Sequence, residues 1–484
     1  MLSEISDTEI IKRIKDDNPW WSTGQIPKDY GRMKRRLYFD LLYSLTKPIE
    51  NKRAVVLMGP RRVGKTVLLN HIIQQLMMDG IPPAKIMFLS IDAPIYNRVP
   101  LARLFALAME GAGTTDTEGC YVIFDEIQYL KDWEIHLKSL VDTYRSTKFV
   151  VSGSAAAALK LKSNESGAGR FTDFILPPLT FQEFLHLQDR SGIMRPQSMQ
   201  WGASEIQVYG TDDIQTLNDL FLAYVNMGGY PEAIFNPMVD QDPGRFIKND
   251  IVDKVLLRDL PSLYGIIDIQ ELNSLFNTVA YNTAHEFSLD TLSKSSHVQK
   301  PTISKYLEYL EAAFLIKRVH RIDMAGKAFK RANFFKIYLT NPSLRRALFS
   351  PVGPEDQAIG DLVETAIMAQ WMHRNAAVYY ARWQKEKAIG QDGEVDIVLM
   401  NQFLKPGAAV ECKWSDRYAS NLNELKSLST FLDNHNLPNA VVTSRTVTMD
   451  CVVGNATLHF IPAACYAYTV GANSLLLKHT EFPL

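Results

Sequence analysis

The chain has 484 residues, 46% hydrophobic and 22% charged, with a formal net charge of −1. That length exceeds what one hydrophobic core serves, so two to three domains are expected, and the balanced charge excludes a uniformly basic nucleic-acid binder, leaving any such contact to a local patch. No run approaches the roughly 18 apolar residues of a membrane span, the opening MLSEISDTEIIKRIKDD lacks a signal-peptide layout, and Cys120, Cys412, Cys451 and Cys465 have no metal-ligand spacing, so a cytoplasmic protein with buried thiols and no membrane partner is expected.

Residues 1–50 read as an N-terminal helical segment in which Trp20, Trp21, Arg32, Lys34, Arg35, Arg36 and Tyr38 cluster. Aromatic residues are usually core, which favours a helix packed on the next domain over an adenine-stacking or lid role. The stretch that organises the rest is Ala54 to Asn70, AVVLMGPRRVGKTVLLN. A strand pattern runs into Gly59-Pro60-Arg61-Arg62-Val63-Gly64-Lys65-Thr66, a full match to G-x-x-x-x-G-K-[ST], and a helical pattern from Lys65 to Met78 runs out. Gly59 and Gly64 let the backbone curl so that successive N–H groups face a phosphate, Lys65 reaches the β/γ-phosphates, and Thr66 ligates Mg²⁺. The helix N-terminus, through Val67, adds its positive dipole. ATP and Mg²⁺ are the expected ligands.

A buried-strand pattern follows at Lys85 to Asp92, then a helix from Leu101 to Glu110. Cys120-Tyr-Val-Ile-Phe-Asp-Glu126 ends an apolar strand in two adjacent carboxylates, at the sheet edge where α/β proteins bind ligands. Asp125 suits the Mg²⁺ shell, as a Walker B aspartate does, and Glu126 the orientation and deprotonation of an attacking water. The next strand, Lys148 to Ser152, ends in a small polar residue: Ser152 fits either a sensor of the γ-phosphate or the N-cap of a following helix. A loop from Ser163 to Gly169 delivers Arg170, read either as a trans-acting arginine finger, which implies a dimer or larger homo-oligomer, or as a surface arginine pairing with Asp173.

These residues resemble the AAA-superfamily ATPases, specifically a bacterial and archaeal group that couples such a module to a C-terminal domain of uncharacterised function. The resemblance spans most of the chain and rests on GPRRVGKT, YVIFDEIQYL with Trp133 soon after, VVSGS, the run from Gly169 to Leu185, and NMGGYPEA from Asn226 to Ala233. It implies Lys65, Asp125 and Glu126 as ATPase residues.

Residues 189–215 are polar with little periodicity and read as a loop insertion before a helical lid; Pro243 to Leu260 reads as an amphipathic helix. Helical patterns at Ile267 to Asn282, Ser288 to Ser295 and Lys300 to Ile316, then strands at Lys317 to Ile322 and Phe334 to Leu339, make a winged-helix pattern. Between Lys300 and Arg346, eleven basic residues, Lys330, Arg331 and Lys336 among them, face only Glu308, Glu311 and Asp323. That excess suits DNA phosphates, or equally a solvated face of a protein-binding winged helix.

Beyond Pro354 a helix from Gln357 to Arg374 carries Glu364, a strand from Gly393 to Met400 carries Asp396, and a strand from Ala408 to Trp414 carries Glu411 and Lys413 on one face. Asp396 and Glu411 are placed to share Mg²⁺ with Glu364, and Lys413 to stabilise a phosphate transition state. The D…E-x-K spacing with an upstream helical glutamate resembles the PD-(D/E)xK restriction-endonuclease-like superfamily, with Val395-Asp396 replacing its leading Pro-Asp. A salt-bridged sheet, or the same fold used to bind rather than cut, are the competing readings. The expected architecture is α/β: an N-terminal segment (1–50), a parallel-sheet AAA-type ATPase core (51–188), an insertion and helical lid (189–260), a winged helix (261–350) and a restriction-endonuclease-like domain (351–484).

Overall fold

The computed structural model describes residues 6–96, 99–153, 169–236, 239, 241–327, 333–374, 376–384 and 392–476. The chain forms two compact units, Met1–Pro177 and Pro178–Leu484.

The first unit is built on five short strands, four of them almost entirely buried, the pattern expected when both faces of a parallel sheet are covered. They are β1 (Ala54–Met58), β2 (Ile86–Ser90), β3 (Tyr121–Asp125), β4 (Lys148–Gly153) and β5 (Phe171–Ile175). They lie in the order β2-β3-β4-β1-β5, and every adjacent pair is parallel. All five carboxyl ends therefore share one edge. Register sets Leu57 beside Ser152 and Phe124 beside Val151, so the residues after these pairs meet at that edge. The helices Lys65–Met78, Leu101–Ala112 and Trp133–Thr143 supply the covering layers, and Asp7–Asp17 packs on Leu101–Ala112. Trp20, 1% exposed, donates its indole N–H to the Ile86 carbonyl, as does Trp21. These aromatics hold the N-terminal segment on the sheet, which removes the adenine-stacking reading for both.

In the second unit, residues 189–215 are not the loop expected from their polarity. They form a hairpin of β6 (Arg195–Trp201) and β7 (Ser204–Gly210) turning at Gly202 in the left-handed region, with Met194, Ile206 and Val208 buried in the core. A strand pair exposed on one face buries few apolar positions, which is why its period is faint in the sequence. Pro243 to Tyr264 is helical but slips into π geometry at Ile247–Val252 and Val255–Asp259.

A nine-stranded mixed sheet dominates this unit, in the order β15-β16-β14-β13-β12-β11-β9-β10-β8. Its strands are β8 (Glu286–Ser288), β9 (Ile316–Ile322), β10 (Phe334–Leu339), β11 (Val378–Trp383), β12 (Gly393–Met400), β13 (Pro406–Glu411), β14 (Asn439–Ser444), β15 (Met449–Val453) and β16 (Ala456–Pro462). The helices Ile269–Tyr281, Leu289–Ser296 and Lys300–Ala312 accompany β8, β9 and β10. β9 pairs in parallel with β11, so strands on both sides of position 351 belong to one sheet. One face packs on Ile359–Trp371 and on Ala463–Leu476, which is buried from Ala463 to Asn473, the other on Lys426–His435. Among the described residues no helix is long and apolar enough to cross a membrane.

Candidate functional site

Two clusters of chemically capable side chains emerge, one in each unit. In the first, the loop from Gly59 to Gly64 leaves β1 and enters the helix Lys65–Met78. Arg62 and Gly64 both take left-handed backbone, at φ 64° and 89°, curling the loop back over the helix N-terminus. Gly59 is required for another reason: a Cβ there would lie 2.2 Å from the Leu176 carbonyl oxygen. Lys65 folds over the loop, its Nζ donating to the carbonyls of Gly59 at 3.0 Å and Pro60 at 2.8 Å. Arg36, 5% exposed, donates to the carbonyls of Val63 and Pro177, each at 2.9 Å. The basic cluster near residue 35 had not suggested this internal brace. Its only signal is an arginine beside aromatic residues that are themselves buried.

The carboxylate pair at the end of β3 meets this loop through Asp125. The Thr66 hydroxyl donates to Asp125 Oδ2 at 2.7 Å, and the Ser152 hydroxyl donates to Asp125 Oδ1. Burial raises the Asp125 pKa, and Glu126 adds to the rise, while Ser152, Thr66 and Lys65 oppose it. Ser152 also accepts from the Glu126 N–H at 3.3 Å, and Gln128 donates to the Glu126 carboxylate. Glu126 itself sits at φ 54°, a sparsely populated region for a residue with a side chain, which turns it away from the strand path. The Thr66 hydroxyl and the Asp125 carboxylate are hard oxygen donors within hydrogen-bond reach, a set that fits Mg²⁺ sharing its shell with waters and phosphate. Arg170 is half-exposed and pairs with Asp142 at 2.5 Å. The loop before it, from Ser163 to Ala168, lies outside the described residues.

The second cluster gathers residues from three strands and one helix. Period two sets Glu394 and Asp396 on one face of β12, and Lys336 and Tyr338 on one face of β10. Glu411 ends β13, with Lys413 just beyond the strand rather than within it. Glu364, from the helix Ile359–Trp371, accepts from Tyr338 OH at 2.6 Å and from Lys336 Nζ at 2.9 Å through the same oxygen. Lys336 Nζ also lies 2.8 Å from Glu394 Oε1 and 3.4 Å from Asp396 Oδ1. Lys413 Nζ bridges Glu411 at 2.7 Å and Asp396 at 3.3 Å, and the Cys412 N–H donates to Asp396 at 2.9 Å.

The electrostatics follow from burial and pairing. Burial pushes Glu364 up to about 7 against the pull of Lys336. Burial and the neighbouring Asp396 likewise push Glu411 up to about 7. Burial would raise Asp396 too, but Lys413, Lys336 and the Cys412 N–H hold it below the usual carboxylate range. Lys336 is held well above its ordinary value despite its burial, by Glu364, Tyr338, Asp396 and Glu394. Glu364, Asp396, Glu411 and Lys413 thus lie in one cluster. Lys336 and Glu394 complete the cluster without having been foreseen there, and Lys336 leaves the basic face to which the sequence assigned it. That face is further neutralised by ion pairs of Arg318 with Glu311, Arg321 with Glu286 and Lys300 with Asp290. Lys330 and Arg331 lie outside the described residues. Among the described residues, no group of three or more acidic, histidine or cysteine side chains is arranged to hold a metal ion.

The five-stranded parallel sheet, the glycine loop and the carboxylate pair define an α/β P-loop domain. Residues 51–185 match the family model described as "AAA domain", and residues 218–355 match one described as "Domain of unknown function (DUF8612)". An uncharacterized protein of Haemophilus influenzae is 26% identical over 328 residues, covering 67% of this chain and 75% of its own length. A second, from Methanocaldococcus jannaschii, is 23% identical over 397 residues, covering 78% and 79%. Among solved structures, that of the Aeropyrum pernix ORC2 protein (ADPNP–ADP complexes) is 14% identical, covering 62% of this chain and 90% of its own, with a TM-score of 0.37. That of C. elegans PCH-2 is 14% identical, covering 57% and 65%, with a TM-score of 0.27.

Proposed function

We propose that this protein is a cytoplasmic AAA-type ATPase that binds ATP through Gly59 to Val67 and hydrolyses it. The contact of Thr66 with Asp125 carries the reading, because it joins the phosphate loop to a buried carboxylate with Glu126 next in line. Thr66 and Asp125 would hold Mg²⁺, which when bound neutralises charge on the phosphates. Lys65, released from the Gly59 and Pro60 carbonyls, pairs with the β/γ-phosphate oxygens; the loop N–H groups and the helix N-terminus bind the same anion. Glu126 orients water and accepts its proton, and Ser152 holds the two carboxylate-bearing residues in register. Arg170 acts in trans as an arginine finger once it leaves Asp142, which implies a homo-oligomer. Adding a Glu126→Gln subunit, which retains Arg170, to an Arg170→Ala protein should restore part of its turnover; no restoration excludes a trans role.

Nucleotide turnover is coupled to the second unit, read as a helical lid, a winged helix of three helices with β8, β9 and β10, and a PD-(D/E)xK-like domain, with contact to DNA as its purpose. The Mg²⁺-dependent nuclease reading gives Glu364, Asp396 and Glu411 as ligands and Lys413 as the phosphate-stabilising group. The competing reading, a module that binds without cutting, is favoured by one observation: Glu364, Asp396 and Glu411 are already ion-paired with the ammonium groups of Lys336 and Lys413. Mg²⁺- or Mn²⁺-dependent nicking of DNA that is lost in Asp396→Ala with ATPase activity intact would restore the nuclease reading. DNA binding itself predicts a steep salt dependence and stimulation of ATP turnover.

A further inference from the structure

A buried charge is tolerated only when it is paired and hydrogen-bonded, and the interior of the second unit holds an unusual concentration of such charges. Glu364 and Asp396 are both buried, and Glu394 borders them. The ion that serves all three is the ammonium of Lys336, itself 3% exposed, at 2.9, 3.4 and 2.8 Å. Tyr338, two residues along the same strand face, donates to the Glu364 oxygen that Lys336 also contacts, fixing the carboxylate from a second direction. Lys336 therefore has the same side-chain partners, Glu364 and Asp396, that a divalent ion would need. A single ammonium cannot share that volume with a cation whose oxygen ligands must close to about 2.0–2.1 Å. The acid cluster as built does not fit Mg²⁺, in keeping with the lack of a metal-ready group among the described residues.

We propose that Lys336 is the resident cation of this site, a positioning residue that holds Glu364, Glu394 and Asp396 together in place of a divalent metal and keeps such metals out. The strand pattern explains how a lysine reaches there. β10 is apolar at Phe335, Ile337 and Leu339, so its opposite face must carry Lys336 and Tyr338 toward the buried carboxylates. The inference rests on this geometry alone and holds whether or not ATP is turned over.

The test is Mn²⁺ binding by isothermal titration to the full-length protein without nucleotide, comparing wild type, Asp396→Asn, Lys336→Met and the double variant. The P-loop contribution is common to all four, so the component sensitive to Asp396 isolates this site. The proposal expects wild type and Asp396→Asn to titrate alike, and Lys336→Met to gain a site that binds Mn²⁺ at least about tenfold more tightly and disappears in the double variant. An Asp396-sensitive Mn²⁺ site in the wild type overturns it, and so does Lys336→Met without any gain. If Lys336→Met fails to fold, Lys336→Gln carries the same comparison, and the wild-type arm can overturn the proposal without either variant. ATP turnover measured on the same samples reports separately on the ATPase reading.

Discussion

Thr66 donates its hydroxyl hydrogen to Asp125 across 2.7 Å, tying the first turn of the P-loop helix to the carboxyl end of β3. Because the two residues lie on different elements, the pair also sets the spacing between the phosphate loop and the strand that bears Glu126. Asp125→Ala should weaken Mg²⁺·ATP binding by about tenfold or more while leaving Mg²⁺-free ATP binding nearly unchanged. Fluorescent-nucleotide titrations with and without Mg²⁺ check this; an equal loss in both would remove Asp125 from the metal shell.

Arg36 braces the loop from behind through the Val63 and Pro177 carbonyls. Hydrogen bonds from a charged group contribute about 1.5–3 kcal/mol, and here two buried carbonyls would lose their donor. Arg36→Met should lower stability by about that amount and weaken ATP binding, although it touches no phosphate in this account. Thermal unfolding with and without ATP separates the two effects.

Gly59→Ala tests the loop from the other side. The new methyl group would meet the Leu176 carbonyl oxygen at 2.2 Å, and backbone must shift to admit it. Overpacking of this kind costs about 1–3 kcal/mol. The expected result is a lower Tm together with loss of nucleotide binding, whereas a variant that binds ATP normally would show that the loop relaxes freely.

The phosphate loop and the carboxylate pair were legible in the sequence because each couples a residue pattern to a strand boundary, and chain order alone brings such boundaries to one sheet edge. Glu364, Asp396, Glu411 and Lys413 were legible through a different signal, the D…E-x-K spacing on neighbouring strands with a glutamate on the helix before them. Lys336 was not, because its run, Phe334 to Leu339, sits among basic residues and the sequence gives no sign that β9 would join β11 and extend the sheet. The available signal was a lone lysine inside an otherwise apolar strand, which needs a buried partner. The β6–β7 hairpin was missed because polar residues on its exposed face mask the alternation, and Arg170 found Asp142, a partner 28 positions away that local spacing cannot reveal.

Lys148 offers a check on the first unit that is independent of nucleotide. Burial depresses its pKa to about 8, with only Glu50 opposing. The folded state then binds fewer protons than the unfolded state between about pH 8 and the ordinary value of 10.5, so stability attributable to this residue rises with pH across that window. Lys148→Met should stabilise the protein at pH 7, with the advantage shrinking as pH climbs from 8 toward 10.5. Chemical denaturation at a series of pH values measures it; a constant difference would contradict the depressed pKa.

The central claim is that the loop around Lys65 binds ATP and Glu126 drives its hydrolysis. Steady-state phosphate release by the purified protein, paired with equilibrium ATP binding, tests it most directly. Lys65→Ala should lose both binding and turnover, and Glu126→Gln should keep binding while turnover falls by about a hundredfold or more. Phosphate release that persists at the wild-type rate in either variant would contradict the account.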